Sequence, residues 1–290
     1  MSSAQETLAA YKERLDRYLD QSVAMETAPA RLREAMRYSL LSGGKRLRGC
    51  LLLAACEMAD GDKEAALPFA AALEMIHAYS LIHDDLPAMD NDTLRRGRPT
   101  NHVVFGEAMA ILAGDGLLTH AFEIMAASPH PRAFRALGEI VKAAGVGGML
   151  AGQTLDVTME GAPPDIHLVQ SIHAGKTAAL LTAPVTAGLI LADADASRIE
   201  AGRAYGFHLG MAFQIVDDLL DLEGDPALMG KTLGKDVQEG KLTWPACVGI
   251  PQARLDAETH IRAAANALSL FGERADFLRA LAFSTLHRVQ

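Results

Sequence analysis

The residues best equipped for chemistry are two acidic clusters, Asp84-Asp85-Leu-Pro-Ala-Met-Asp90 and Asp217-Asp218-Leu-Leu-Asp221, about 130 residues apart. Each follows a long apolar stretch. Carboxylates crowded together repel one another unless cations neutralise them. Hard oxygen ligands with open positions are what Mg²⁺ accepts when it also binds a phosphate. The pattern points to several Mg²⁺ ions acting on a diphosphate.

Positioning such groups requires helices. Residues 69–86 contain no Gly and no Pro, and their apolar positions recur at helical intervals, which predicts a buried helix. On it His77, Ser80 and Asp84 share one face, because steps of seven and four residues return to nearly the same angle. Pro87 removes a backbone donor and ends or kinks the helix, letting Asp90 swing back toward the same metals. Before the second cluster, Gly206 and Gly210 stand four apart and permit close helix contact. Asp217 and Asp221 project from one face, with Gln214 beside them. Residues 223–241, rich in Gly and Lys, read as a loop able to cover a phosphate.

Composition narrows the classes. Of 290 residues 50% are hydrophobic but only 5% aromatic, and Ala and Leu dominate, which favours an all-α fold. Nothing resembles a linker, so residues 1–290 are expected to form one domain, a bundle of roughly ten or more helices around a deep central cavity. The net charge of −9 argues against nucleic acid or an anionic membrane as partner. The basic residues nevertheless cluster, at Lys45-Arg46-Leu-Arg48, at Arg95-Arg96-Gly-Arg98 and at Lys231, Lys235 and Lys241, suggesting pockets for small anions. The charged, amphipathic N-terminus lacks the features of a signal or transit peptide and is expected to be retained. The longest low-charge run, residues 178–192, reads as too short for a membrane span and is interrupted by Thr182, Pro184, Thr186 and Gly188. Cys50, Cys56 and Cys247 lack metal or disulfide spacing, which points to a reducing cytoplasm.

Seven motifs in order resemble the trans-isoprenyl diphosphate synthases, most closely the bacterial farnesyl diphosphate synthases. They are residues 43–48 (Gly-Gly-Lys-Arg-Leu-Arg), residues 77–92 with the first Asp cluster, residues 94–100, Gly152-Gln153, Gly175-Lys-Thr177, Phe213-Gln214 and the second Asp cluster. The resemblance implies that Asp84, Asp90 and Asp217 hold Mg²⁺, with Asp85 and Asp221 as further ligands. It implies that isopentenyl diphosphate meets Lys45, Arg48, His77 and Arg96. The allylic diphosphate would meet Arg95, Lys176, Lys231 and Lys241, with Thr177 and Gln214 alongside. Ionisation of the allylic substrate would give a carbocation sheltered by oxygens near Lys176, Thr177 and Gln214, with Asp84 and Asp217 completing the catalytic set. Tyr79, with Ser80, resembles the floor that stops elongation at C15. The resemblance also implies a homodimer.

A C20 synthase shares this fold and mechanism. A terpene cyclase lacks a second Asp cluster of this kind and an isopentenyl diphosphate site, and an inactive regulatory partner typically loses one cluster. In one departure, Gly49 stands where the family usually has Pro. In another, the C-terminus, residues 285–290, is less basic than in many relatives.

Overall fold

Long apolar segments whose pattern follows the helical period satisfy their backbone polar groups in a core as helices. The computed structural model, which describes residues 3–223 and 240–286, is accordingly helical almost throughout. In chain order the helices are α1 (Ser3–Ser22), α2 (Ala30–Leu40), α3 (Leu47–Met58), α4 (Lys63–Asp84), α5 (Asn101–Phe105), α6 (Glu107–Ala126), α7 (Ala133–Ala144), α8 (Met149–Thr158), α9 (Ile166–His173), α10 (Ala179–Leu191), α11 (Ala196–Glu223), α12 (Trp244–Val248), α13 (Ile250–Ala267) and α14 (Asp276–Leu286). A π-helical turn, Ala174–Ala178, joins α9 to α10, and a 3₁₀ segment, Leu268–Ala275, joins α13 to α14. Two-residue strands, β1 (Leu94–Arg95) and β2 (Arg98–Pro99), form one hairpin. Lys231 and Lys235 lie outside the described residues.

The core runs through α3, α4, α10 and α11. Leu51, Leu52, Leu53, Phe69, Leu73, Ile76, Leu180 and Leu189 are fully enclosed or nearly so. Each such side chain stabilises the fold by about 1.5–3 kcal/mol. Direct backbone approach replaces side-chain packing at the glycines of α11. A Cβ at Gly206 would lie 2.5 Å from Thr182 Cα, and one at Gly210 would lie 2.4 Å from Ala178 Cα. The four-residue glycine spacing read from the sequence is thus the seam between α11 and the helix carrying Lys176.

The helix carrying the first acidic cluster begins earlier than the pattern suggests, because Asp62 caps it by accepting from the Glu64 N–H and Pro68 is tolerated inside it. It ends where Pro87 requires. Past the end the chain turns back, so that the Asp90 N–H donates to the Asp84 carbonyl at 2.8 Å.

Three helical stretches are long and apolar enough, by length and composition, to cross a membrane: Lys63–Asp84, Glu107–Ala126 and Ile166–Leu191. The last is longer than residues 178–192 because α9 and the π-helical turn run without a break into α10, and the interruptions within 178–192 do not end the helix. Thr182 and Thr186 hydrogen-bond back to the carbonyls of Ala178 and Thr182, and Pro184 sits inside α10. In the most apolar window of the first and third stretches 67% and 72% of residues are buried, so these are core helices of the bundle. In the window of α6 only 33% are.

Candidate active site

A buried acid is stable only if something answers its charge. At Asp84 burial pushes the carboxyl up to about 6, with Lys176 and Arg95 pulling down and the neighbouring Asp90 and Asp85 pushing up. Gln153 Nε2 donates to Asp84 Oδ1 at 3.2 Å. Asp85, which caps α4 and is 3% exposed, has both carboxylate oxygens engaged by Arg95, whose Nε lies 2.8 and 3.1 Å away and whose Nη2 lies 2.7 Å away. Asp85 therefore anchors Arg95 and is differently placed from the other metal candidates. Asp90 faces Lys241 Nζ at 3.4 Å.

The hairpin exists to aim arginines. Arg96 (φ 54°) and Gly97 (φ 71°) are both left-handed, as a two-residue turn that follows strand twist requires. The turn sends Arg95 inward to Asp85 and Arg96 across to the Gly43 carbonyl. Gly44 makes room for this arginine: a Cβ there would lie 2.6 Å from Arg96 Nη1. The glycine pair before Lys45 thus serves a guanidinium, Gly43 through its carbonyl and Gly44 through the space it leaves.

Beyond that turn, Arg46 enters α3 with a left-handed backbone and is buried, its Nε 2.7 Å from Asp16 and its Nη1 3.9 Å from Glu74. Lys45 is exposed on the same turn. Arg48 lies deeper, and burial lowers its pKa against the pull of Glu74 and Asp217. Its buried Nε has no hydrogen-bond partner. His77 is held well below its usual pKa by burial and by Arg48, Arg96, Arg95 and Arg46, so it is neutral near pH 7. Arg46, Glu74, His77, Asp85 and Arg96 line one small hollow of about 30 Å³.

A second hollow, of about 70 Å³, is lined by Asp156, Lys176, Gln214, Asp218 and Lys241. Lys176 and Thr177 sit in the π turn. Gly152 and Gly175 bring that turn against α8, since a Cβ at Gly152 would lie 2.0 Å from the Lys176 nitrogen. Lys176 Nζ pairs with Asp156 at 2.5 Å, and Thr177 Oγ1 donates to Gln214 Oε1 at 2.7 Å. Asp217 is partly exposed and Asp221 is buried on α11. Tyr79 is buried on α4 with its ring edge-on to His83 at 5.7 Å, and Ser80 hydrogen-bonds to the His77 carbonyl of its own helix.

Both acidic clusters share one set of cations. Arg48 acts on His77 of α4 and on Asp217 of α11, while Lys241 reaches Asp90 and lines the hollow beside Gln214. Among the described residues no three carboxylates or imidazoles already form a metal cage. The donors still suit a hard cation, because Asp84, Asp90, Asp217 and Asp221 offer only carboxylate oxygen, and burial, with Asp90 and Asp85 adding to it, raises the pKa of Asp84. Sequence reasoning gave no role to Glu74, Asp156, His173 or Trp244. Only Glu74 left a signal, a lone charge in the apolar run of α4.

A family model described as polyprenyl synthetase matches residues 29–270. The chain belongs to that family. It is 45% identical over 267 residues to farnesyl diphosphate synthase of Geobacillus stearothermophilus, covering 90% of each chain. It is 47% identical over 255 residues to the heterodimeric geranylgeranyl pyrophosphate synthase large subunit 1 of Arabidopsis thaliana, chloroplastic, covering 85% of this chain and 68% of that one. The crystal structure of geranylgeranyl pyrophosphate synthetase from Pyrococcus horikoshii superposes with a TM-score of 0.90 at 33% identity, covering 98% of this chain and 99% of the other. The protein is a short-chain trans-prenyl diphosphate synthase, a prenyltransferase of isoprenoid biosynthesis with an isoprenoid synthase fold.

The departure at Gly49 has a local cause. The Gly49 N–H donates to buried Glu74 Oε1 at 2.9 Å, and a Cβ there would lie 2.3 Å from Leu15 Cδ2. Proline, usual in the family, removes that donor and adds bulk. Gly49→Pro is expected to lower unfolding stability by about 1–3 kcal/mol, read from the urea midpoint; an equal or higher midpoint would contradict this account.

Proposed function

We propose that the chain is a farnesyl diphosphate synthase, condensing isopentenyl diphosphate with dimethylallyl or geranyl diphosphate in one catalytic domain spanning residues 1–290. The observation that carries the reading is the pair of cation-lined hollows, one with Arg46 and Arg96 beside Asp85 of the first acidic cluster and the other with Lys176 and Lys241 beside Asp218 of the second. Two diphosphates need two such places.

Isopentenyl diphosphate is held by Lys45, Arg48, His77 and Arg96, with Arg46 shaping the pocket, and guanidinium forks match phosphate oxygens. The allylic diphosphate lies against Lys176, Lys241 and Arg95, joined by Lys231 from outside the described residues. When bound to Asp84, Asp90, Asp217 and Asp221, with Asp85 behind them, Mg²⁺ would supply the positive charge that stabilises the departing diphosphate. The lysines and Arg95 add to that stabilisation, and the Thr177 and Gln214 oxygens face the resulting positive carbon chain. The double bond of isopentenyl diphosphate then attacks, and the proton leaves to the released diphosphate. The enclosing helices keep water from the cation.

Tyr79, buried five residues before Asp84, supports a C15 product by closing the space along α4. A C20 product is the second reading, favoured by the geranylgeranyl names among the relatives. The compartment we assign is the cytoplasm. It suits the three free cysteines, of which Cys56 is pushed up to about 12 by burial and is correspondingly unreactive. We assign no bilayer span. The exposed apolar face of α5 and α6, with Val103, Val104, Ile111 and Leu112, fits a second copy of the chain, and Asp115 and Glu123 on α6 suit a protein partner better than lipid.

Labelled isopentenyl diphosphate with geranyl diphosphate should give farnesyl diphosphate, with turnover lost in EDTA. Because protonation of Asp84 competes with cation binding, the Mg²⁺ concentration for half-maximal rate should rise as pH falls through about 6. No turnover at any Mg²⁺ concentration would refute the reading. Tyr79→Ala should lengthen the product, and chromatography showing unchanged C15 would place the floor elsewhere. Sedimentation should give a dimer that Ile111→Asp with Leu112→Asp converts to monomer; a wild-type monomer at micromolar concentration would exclude the pairing.

A further inference from the structure

We propose that Asp218, the second aspartate of the second cluster, is a positioning residue that fixes which way the Gln214 amide and the Thr177 hydroxyl face. This deepens the synthase reading and rests on it. Asp218 is 3% exposed, each of its oxygens accepts an N–H donor, and a ring nitrogen from a third segment lies close by. Oδ1 accepts from Gln214 Nε2 at 3.1 Å. Oδ2 accepts from the Trp244 backbone N–H at 2.8 Å and lies 3.3 Å from His173 Nε2. The His173 ring stacks on Trp244 at 5.7 Å with an interplanar angle of 21°. His173 Nδ1 is buried without a hydrogen-bond partner, which leaves Nε2 as the ring nitrogen placed to meet the carboxylate.

The consequence follows from donor and acceptor types. A carboxylate only accepts, so Gln214 must turn its NH₂ toward Asp218 and its carbonyl oxygen the other way. That oxygen accepts the Thr177 hydroxyl proton at 2.7 Å. A hydroxyl has one proton, so Thr177 Oγ1 has only lone pairs left to offer, the polarity that favours a developing positive charge. The chain of bonds from Asp218 through Gln214 to Thr177 therefore sets the sign of the dipole shown to substrate. Asp218 also docks the backbone three residues beyond Lys241, which fixes where that lysine emerges. Asp217, next in sequence, faces Arg48 and the cation site, so adjacent aspartates divide two tasks.

The test is Asp218→Asn, whose NH₂ group can face Gln214 and release the amide to flip. Turnover at saturating substrates and Mg²⁺ should fall on the order of 10- to 100-fold, the effect of a small misplacement at a reacting centre. The KM for isopentenyl diphosphate and the Mg²⁺ concentration for half-maximal rate should stay as in wild type. Adding Asp218→Asn to Thr177→Val should cost little beyond Thr177→Val alone, because both break one chain of bonds. Independent, multiplying losses would overturn the proposal. So would a higher Mg²⁺ requirement with unchanged turnover at saturation, which marks a metal ligand. Should circular dichroism show Asp218→Asn unfolded, His173→Phe, which removes one donor and keeps the ring stack, should lower turnover in the same sense, and unchanged turnover there overturns the proposal. A wild type without synthase activity refutes the broader reading instead.

Discussion

Negative charge in a place short of water has to be answered by positive charge carried by the chain itself, and the whole site is organised by that requirement. Asp84 shows the tension, its carboxyl held near 6 by enclosure. Around it, acids are met by cations delivered from distant segments: Arg95 to Asp85, Lys241 to Asp90 and Lys176 to Asp156. Each pair holds a cation close to the first acidic cluster. A group of fixed charges and dipoles already in place needs no reorganisation when charge develops on a substrate.

The scaffold allows this because its seams are made of backbone. At Gly152, Gly206 and Gly210 no Cβ fits, so α8, the π turn, α10 and α11 meet without intervening side chains. Removing ions from water costs several kcal/mol each. Fully enclosed leucines and isoleucines, gathered on α3, α4 and α10, offset that cost, and so the site can be both buried and charged.

The sequence made the helices and the chemistry legible to different degrees. Apolar spacing disclosed α4, and Pro87 disclosed its end and the return of Asp90, because those are local rules of backbone geometry. The clustered cations at residues 45–48 and 95–98 pointed to the neighbourhood where Arg46 and Arg96 line one hollow. What escaped was tertiary: the Asp156 partner of Lys176 and the His173 and Trp244 partners of Asp218 lie 20 to 45 residues from their targets, and no local pattern joins them. The same holds for Gly44, whose use is apparent only once Arg96 is seen to occupy the space beside it. Pro184 misled for the opposite reason, since packing in the core overrode a local helix breaker.

The π turn at Ala174–Ala178 carries one residue more per winding than its neighbours. Each residue rotates an α-helix by about 100°. This segment is consequently fixed in length: deleting or inserting one residue would swing Lys176 and Thr177 away from α11 while leaving the apolar packing of α9 and α10 to be rebuilt. The connections at residues 127–132 and 159–165 bear no such restriction. Variation in length is therefore expected to accumulate at the joints between helices and to spare this winding.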